Sequence, residues 1–427
     1  MSATLERTEE AFLARYHARA GSLPGAGDPR ERAAAVFRAR GLPDTHVEAW
    51  RFTNLRPLAG MAFGTAEASE AEVRLRLTTI PTAAGSGPLL VFANGRFFPA
   101  ISRLPENVEV ASFAARPSLA FAAGGKVEPE VLVVLNTMLA EDGAVISVPE
   151  RADGGRLVLL HLGIGGAAAA AAPAFHPRHR IRLARGARLT LVEIAAGDGL
   201  YLHNPVAEVV IGESAELVHL RLQNESASAF HLGGIEVRLE KEARYQAFTL
   251  TLGARLSRSE TNVEIEGRAA TVHLDAAQLL DGEQHADITT VVRHAAPAAT
   301  SRQTVKNVLM GHAHAVFQGK IAVARVAQKT DGYQRNETLL LSPTAEVNSK
   351  PELEIFADDV KCSHGATVGA LDSNQLFYLQ SRGVPAAEAR AMLVRGFLAD
   401  MFEAIPDDRG RSLLEQAASG WWKDRSV

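Results

Sequence analysis

The sequence predicts a mainly β chain, a β-solenoid core between helical N- and C-terminal regions. Three observations carry this. From about residue 88 to 369, short runs of Val, Ile, Leu and Thr alternate with polar residues and are punctuated by Gly, Asn and Asp. Within that region an alanine opens each of four strand-like runs, at Ala187, Ala215, Ala243 and Ala270, at intervals of 28, 28 and 27 residues. Long amphipathic helix patterns occur only outside it. A fixed period with strand chemistry and no helix in the unit is the signature of stacked coils sharing one core. A β-sandwich with coincidental spacing is the alternative that the pattern leaves open.

Residues 1–60 read as helical, and 61–87 as a turn-rich connection, giving an N-terminal helical domain over 1–87. Arg30 to Arg40 is a run of good helix formers after Asp28 and Pro29, ended by Gly41-Leu42-Pro43. The core domain spans 88–369. Inside it "GGAAAAAAPA" (165–174) reads as a low-complexity surface loop. The C-terminal domain, 370–427, opens with "DSNQLFYLQSR", stops at Gly383 and resumes at Pro385. Leu393, Phe397 and Met401 recur at i, i+4 and i+8 with Met392 and Phe402 beside them, one apolar stripe. Packing on its own domain and docking of a partner both account for such a stripe.

The chain has 427 residues, 47% hydrophobic and 22% charged, with a net charge of −4. That balance fits a globular protein of two or three units. It argues against a generic nucleic-acid binder, which needs a basic surface. The first twenty residues lack an apolar leader region, and no apolar run reaches the length of a membrane span, so the expected compartment is the cytosol. The single cysteine excludes an internal disulfide framework.

Gly163, Gly165 and Ala168 form a partial dinucleotide-binding fingerprint, but Pro173 stops the helix it requires, and Glu193 lies too far on for the ribose acid. A phosphate-binding G-x-x-x-x-G-K-[ST] loop is absent, so this chain is not expected to hydrolyse ATP. His312 with His314, and His285 with Asp287, would each share a face of a strand, yet neither pair has a third ligand at suitable spacing.

In "ELEIFADDVKCSHG" (352–365), Leu353 and Ile355 alternate with Glu352 and Glu354, the pattern of a strand. In extended form Cys362 and His364 face the same way, roughly 6.5–7 Å apart. Lys350 and Lys361 would lower the thiol pKa, and Asp358 and Asp359 would raise it. On pattern alone, Cys362 as a small packed residue is favoured, because lone thiols usually pack. A cluster takes four ligands, mostly thiolates, and this chain has one thiol. A cluster here would need ligands from another chain, which puts the site at a subunit interface.

The segment 328–384, "QKTDGYQRNETLLLSPTAEVNSKPELEIFADDVKCSHGATVGALDSNQLFYLQSRGV", resembles the C-terminal core of the SufB/SufD family of iron–sulfur cluster assembly proteins. "GLPDTHVEAWRFTNLRPL" (41–58) and "VFANGRFFP" (91–99) are similar to its SufD branch, which the single cysteine and the length also favour. The resemblance implies a right-handed parallel β-helix. It implies a non-catalytic scaffold subunit that pairs with a SufB-like chain and a SufC-like ATPase, or with a second copy of itself when isolated. Nucleic acid and membrane are not expected partners. It implies a transient iron–sulfur cluster or iron at the heterodimer interface, with His364 and Cys362 of the K-C-S-H-G motif as metal ligands and no nucleotide held by this chain. It also implies that the C-terminal helices dock the ATPase, which assigns Met392, Leu393, Phe397, Met401 and Phe402 to that contact. A carbohydrate-active β-helix enzyme is the second reading. It would need paired carboxylates, for which Glu352, Glu354, Asp358 and Asp359 are the nearest group.

Overall fold

At one corner of each coil, a residue in the left-handed backbone region precedes a buried small residue. Gly186, Ser214, Glu242, Ala269, Ala298 and Lys329 have φ of 65°, 55°, 58°, 59°, 60° and 61°. Each is followed by a fully buried small residue: Ala187, Ala215, Ala243, Ala270, Ala299 and Thr330. The corners stack. The amides of Glu216, Arg244, Thr271 and Thr300 donate to the carbonyls of Ala187, Ala215, Ala243 and Ala270 at 2.9–3.0 Å. The alanine period is therefore the period of a turn, and it continues two coils beyond the four found in the sequence.

The computed structural model describes residues 3–25, 27–65, 67–82, 84–117, 130–166 and 172–425. Successive coils contribute one strand to each of two mainly parallel sheets. One sheet runs from Arg96–Phe97 through Leu89–Ala93, Asp153–Ile164, Arg188–Asp198, Glu216–Asn224, Arg244–Thr251, Thr271–Leu280, Thr300–Leu309 and Asp331–Leu340 to Lys361–Gly369. The other ends on His314–Val323 and Glu346–Ile355. Inward residues Leu157, Leu159, Leu189, Leu191 and Leu217 of the first sheet meet Ile181, Val209, Ile235 and Val237 of the second. Each contributes about 1.5–3 kcal/mol by leaving water. The architecture is the mainly β solenoid with helical ends that the sequence predicts.

The helices are α1 (Ala3–Arg19), α2 (Gly27–Arg40), α3 (Glu70–Leu77), α4 (Val131–Leu139), α5 (Ser373–Ser381), α6 (Ala386–Glu403) and α7 (Asp408–Lys423). α4, "VLVVLNTML", falls within the region read as strands and turns. Its environment is apolar nearly all round, so burial outweighs the strand preference of its β-branched residues. α1, α2 and α4 share a core with Leu202, Phe230, Leu232 and Leu256. α6 and α7 fold back over the outward residues of the first sheet, Val158, Leu160, Val192, Val218, Leu220 and Phe248. A Cβ on Gly410 would stand 2.2 Å from Leu220 Cδ1, so a larger residue there would push that buried side chain aside.

A Cβ on Gly163 would meet the Tyr201 ring at 2.3 Å, so this glycine serves close packing rather than phosphate binding. Of the alanine-rich stretch, residues 167–171 lie outside the described residues, while Ala172 and Ala174 are buried rather than on a surface loop. They sit in the core shared with α1, where a methyl group fits. Among the described residues, no helix is long and apolar enough to cross a membrane.

Candidate functional site at the open end of the solenoid

The strand Asp331–Leu340 points Gly332, Gln334, Asn336 and Thr338 into the solenoid and leaves Tyr333, Arg335 and Glu337 half-buried on its other face. Its neighbour Lys361–Gly369 pairs in parallel register, Cys362 opposite Gly332 and His364 opposite Gln334. Cys362 and His364 thus share the inward face, but among the described residues no further coil covers them. Lys361–Gly369 ends one sheet and Glu346–Ile355 ends the other, so among the described residues each has an unpaired edge of backbone donors and acceptors.

His364 is exposed and Cys362 half-buried. The thiol packs beside Ile321, Val323, Leu353 and Val360. Burial pushes its pKa up and the nearby Asp331 carboxylate adds to that, against a lowering contact with the Gly332 backbone. Cys362 is therefore a thiol in this chain by itself, and it ligates only when a metal displaces its proton. Lys350 does not assist, because Glu48 at 2.5 Å and Glu352 at 3.2 Å hold it. Apolar side chains crowd the same end: Ile355, Phe356 at 59% and Val368 at 55% exposure. A cleft of about 420 Å³ lined by Lys306, Arg335, Glu337, Val368, Phe397 and Asp400 separates the last strand from α6.

The apolar stripe of α6 divides. Met401 and Phe402, expected on a docking face, are buried on the chain's own sheet, where the Phe402 ring lies 5.5 Å from that of Phe248. Leu393 is half-buried. Phe397 is half-buried too, with Lys306 Nζ 4.8 Å from its ring centroid. Met392 is 40% exposed, and on α5 Phe377 is 72% and Tyr378 58% exposed. The last two, which the stripe did not include, carry the larger apolar exposure.

The other candidates have structural partners. His312 lies in a turn, so it shares no strand face with His314, which bonds Asn348 at 2.6 Å. Asp287 is buried in an ion pair with Arg258 and is no free ligand for a metal beside His285. Glu352 and Glu354 are exposed and paired with Lys350 and Lys320. They form no convergent carboxylate pair.

Family models match most of the chain. The SufBD core domain of the SUF system of FeS cluster assembly matches residues 166–397, and the SufBD protein N-terminal region matches 14–158. The iron–sulfur cluster assembly protein SufD of Escherichia coli is 33% identical over 86% of this chain and 86% of its own length. An iron–sulfur cluster assembly SufBD family protein of Synechocystis is 31% identical over 91% of the chain and 90% of its own. The chloroplastic protein ABCI7 of Arabidopsis thaliana is 36% identical over 57% of the chain and 52% of its own.

Proposed function

The chain belongs to the SufBD family of iron–sulfur cluster assembly proteins, and on that premise we propose that it is a scaffold subunit whose open solenoid end receives a nascent cluster. The observation that carries this is the position of Cys362 and His364, inward-facing residues on a terminal strand whose outer edge is unpaired. A SufB-like chain adding strands to those edges would satisfy the backbone groups and bury Ile355, Phe356 and Val368. It would also bring its own ligands to the same place. His364 supplies a neutral imidazole to iron, and Cys362 a thiolate once its proton leaves. The iron or cluster is cargo, shared with the partner and passed on. The isolated chain pairs with a second copy through the same edges.

A SufC-like ATPase docks on the α5–α6 surface, with Phe377, Tyr378 and Met392 as the apolar contact. ATP hydrolysis belongs to that partner, and this chain is a non-catalytic subunit working in the cytosol. The test is reconstitution of the three-protein complex with His364→Ala. Iron and sulfide retained per complex are expected to drop by about tenfold or more, as for loss of a first ligand. A yield equal to that of the unaltered complex removes the role.

A further inference from the structure

Along most of the first coils the solenoid interior is Leu, Ile and Val, but one layer is polar. His203 and His231 are 28 residues apart, one coil, and stand in register on neighbouring strands with ring centroids 5.0 Å apart. Glu225 bridges them. Its Oε1 lies 3.0 Å from His203 Nδ1 and its Oε2 2.6 Å from His231 Nδ1. Gln223 Nε2 donates to Oε2 at 3.0 Å. All three ligand-type residues are buried, and one ligand atom from each falls within 4.8 Å of the others.

Two features of this triad bear on what it holds. The first is charge. Among the described residues, the only ion pairs of Glu225 are with the two imidazoles, and neither Lys nor Arg stands beside it. The neighbouring buried carboxylate, Glu193, has Arg221 at 3.6 Å as well as His161 and His219. The second is valence. The Nε2 atoms of both His203 and His231 are buried without a hydrogen-bond partner, so each ring keeps an unused nitrogen.

We propose that His203, Glu225 and His231 hold a divalent transition-metal ion of the zinc or ferrous class, at a site separate from the open end. Two imidazoles and a carboxylate are a standard donor set for such ions, and three protein ligands leave one position free. The cation balances Glu225. Gln223 plays the part of an outer residue that orients the ligating carboxylate. The site lies four strands from Glu346–Ile355 in its sheet, about 19 Å at ~4.8 Å per strand, too far to share ligands with Cys362.

The experiment uses the full chain expressed in zinc-supplemented medium, purified without chelator and crystallised. An anomalous difference peak at the zinc edge bounded by His203, Glu225 and His231 is expected, with about one zinc per chain after desalting. His231→Gln is expected to lower zinc content at the triad by about tenfold or more, while His312→Gln, at an exposed turn outside both sites, leaves it unchanged. The absence of a peak at the triad overturns the proposal. So does zinc retained in full by folded His231→Gln, or lost in His312→Gln. If His231→Gln does not fold, the crystallographic peak of the unaltered chain decides alone.

Discussion

The Trp50 indole stacks on the guanidinium of Arg258, whose Cζ lies 3.9 Å from the ring centroid, and both side chains are sealed from solvent. Arg258 is clamped on its other sides by Glu260 and Asp287, and Asp287 also accepts from the Thr53 hydroxyl. The "VEAWRFTN" stretch thus plugs into the middle of the solenoid through a buried cation.

Trp50→Ala opens a cavity over that cation and removes its aromatic cover. The expected loss is about 3–5 kcal/mol. Trp50→Phe is expected to keep more than half of the difference. Chemical denaturation followed by fluorescence and circular dichroism checks both, and a Trp50→Ala midpoint equal to that of the parent would refute the coupling.

The two proposed partner surfaces are separable. Val368→Lys places a charge on the open edge, and Phe377→Asp places one on α5, both at exposed positions. Each is expected to change stability by less than about 0.5 kcal/mol. Val368→Lys should weaken capture of the SufB-like chain by about tenfold or more and spare the ATPase, and Phe377→Asp the reverse. Pull-down with each purified partner reads the two effects, and a variant that loses both partners equally contradicts the assignment.

Buried histidines make the fold acid-sensitive. Burial lowers His294 and His285 from 6.5 to about 4. A folded-state pKa below the unfolded one means the unfolded chain binds protons first. The stability these neutral imidazoles give is therefore complete above pH 6.5 and is lost as pH falls towards 4. Each contributes up to about 3 kcal/mol to that loss. His294→Gln is expected to flatten the stability–pH slope between pH 6.5 and 4 by about one proton, measured as denaturation midpoints across the range. An unchanged slope would show that His294 does not titrate on unfolding.

The corner residues differ in what they tolerate. Ala298 sits at φ 60°, where an L-residue is strained and glycine is not. Ala298→Gly is expected to gain about 0.5–1 kcal/mol, after the entropy glycine adds to the unfolded chain. Its neighbour Ala299 is fully buried in the stacked corner, so Ala299→Leu is expected to cost about 1–3 kcal/mol. Thermal unfolding distinguishes the two signs.

The sequence by itself determined the repeat, because a corner that recurs every coil leaves its alanine at a constant interval, while the structure decided that the repeat stacks as coils rather than as a sandwich. It also determined that Cys362 and His364 share a strand face, since alternation is local. Two histidines of the buried triad, His203 and His231, were legible in principle, lying one alanine period apart. Only the tertiary structure decided that Glu225, six residues before His231 in the chain, closes between them. It alone decided that Met401 and Phe402 are covered by Phe248 and its neighbours while Phe377 and Tyr378 are left bare. A helical stripe announces that it will be buried but not against what. That choice rests on contacts between segments more than 150 residues apart, such as Gln246 Nε2 with the Ala404 carbonyl at 2.8 Å and a sequence separation of 158. No local periodicity records it.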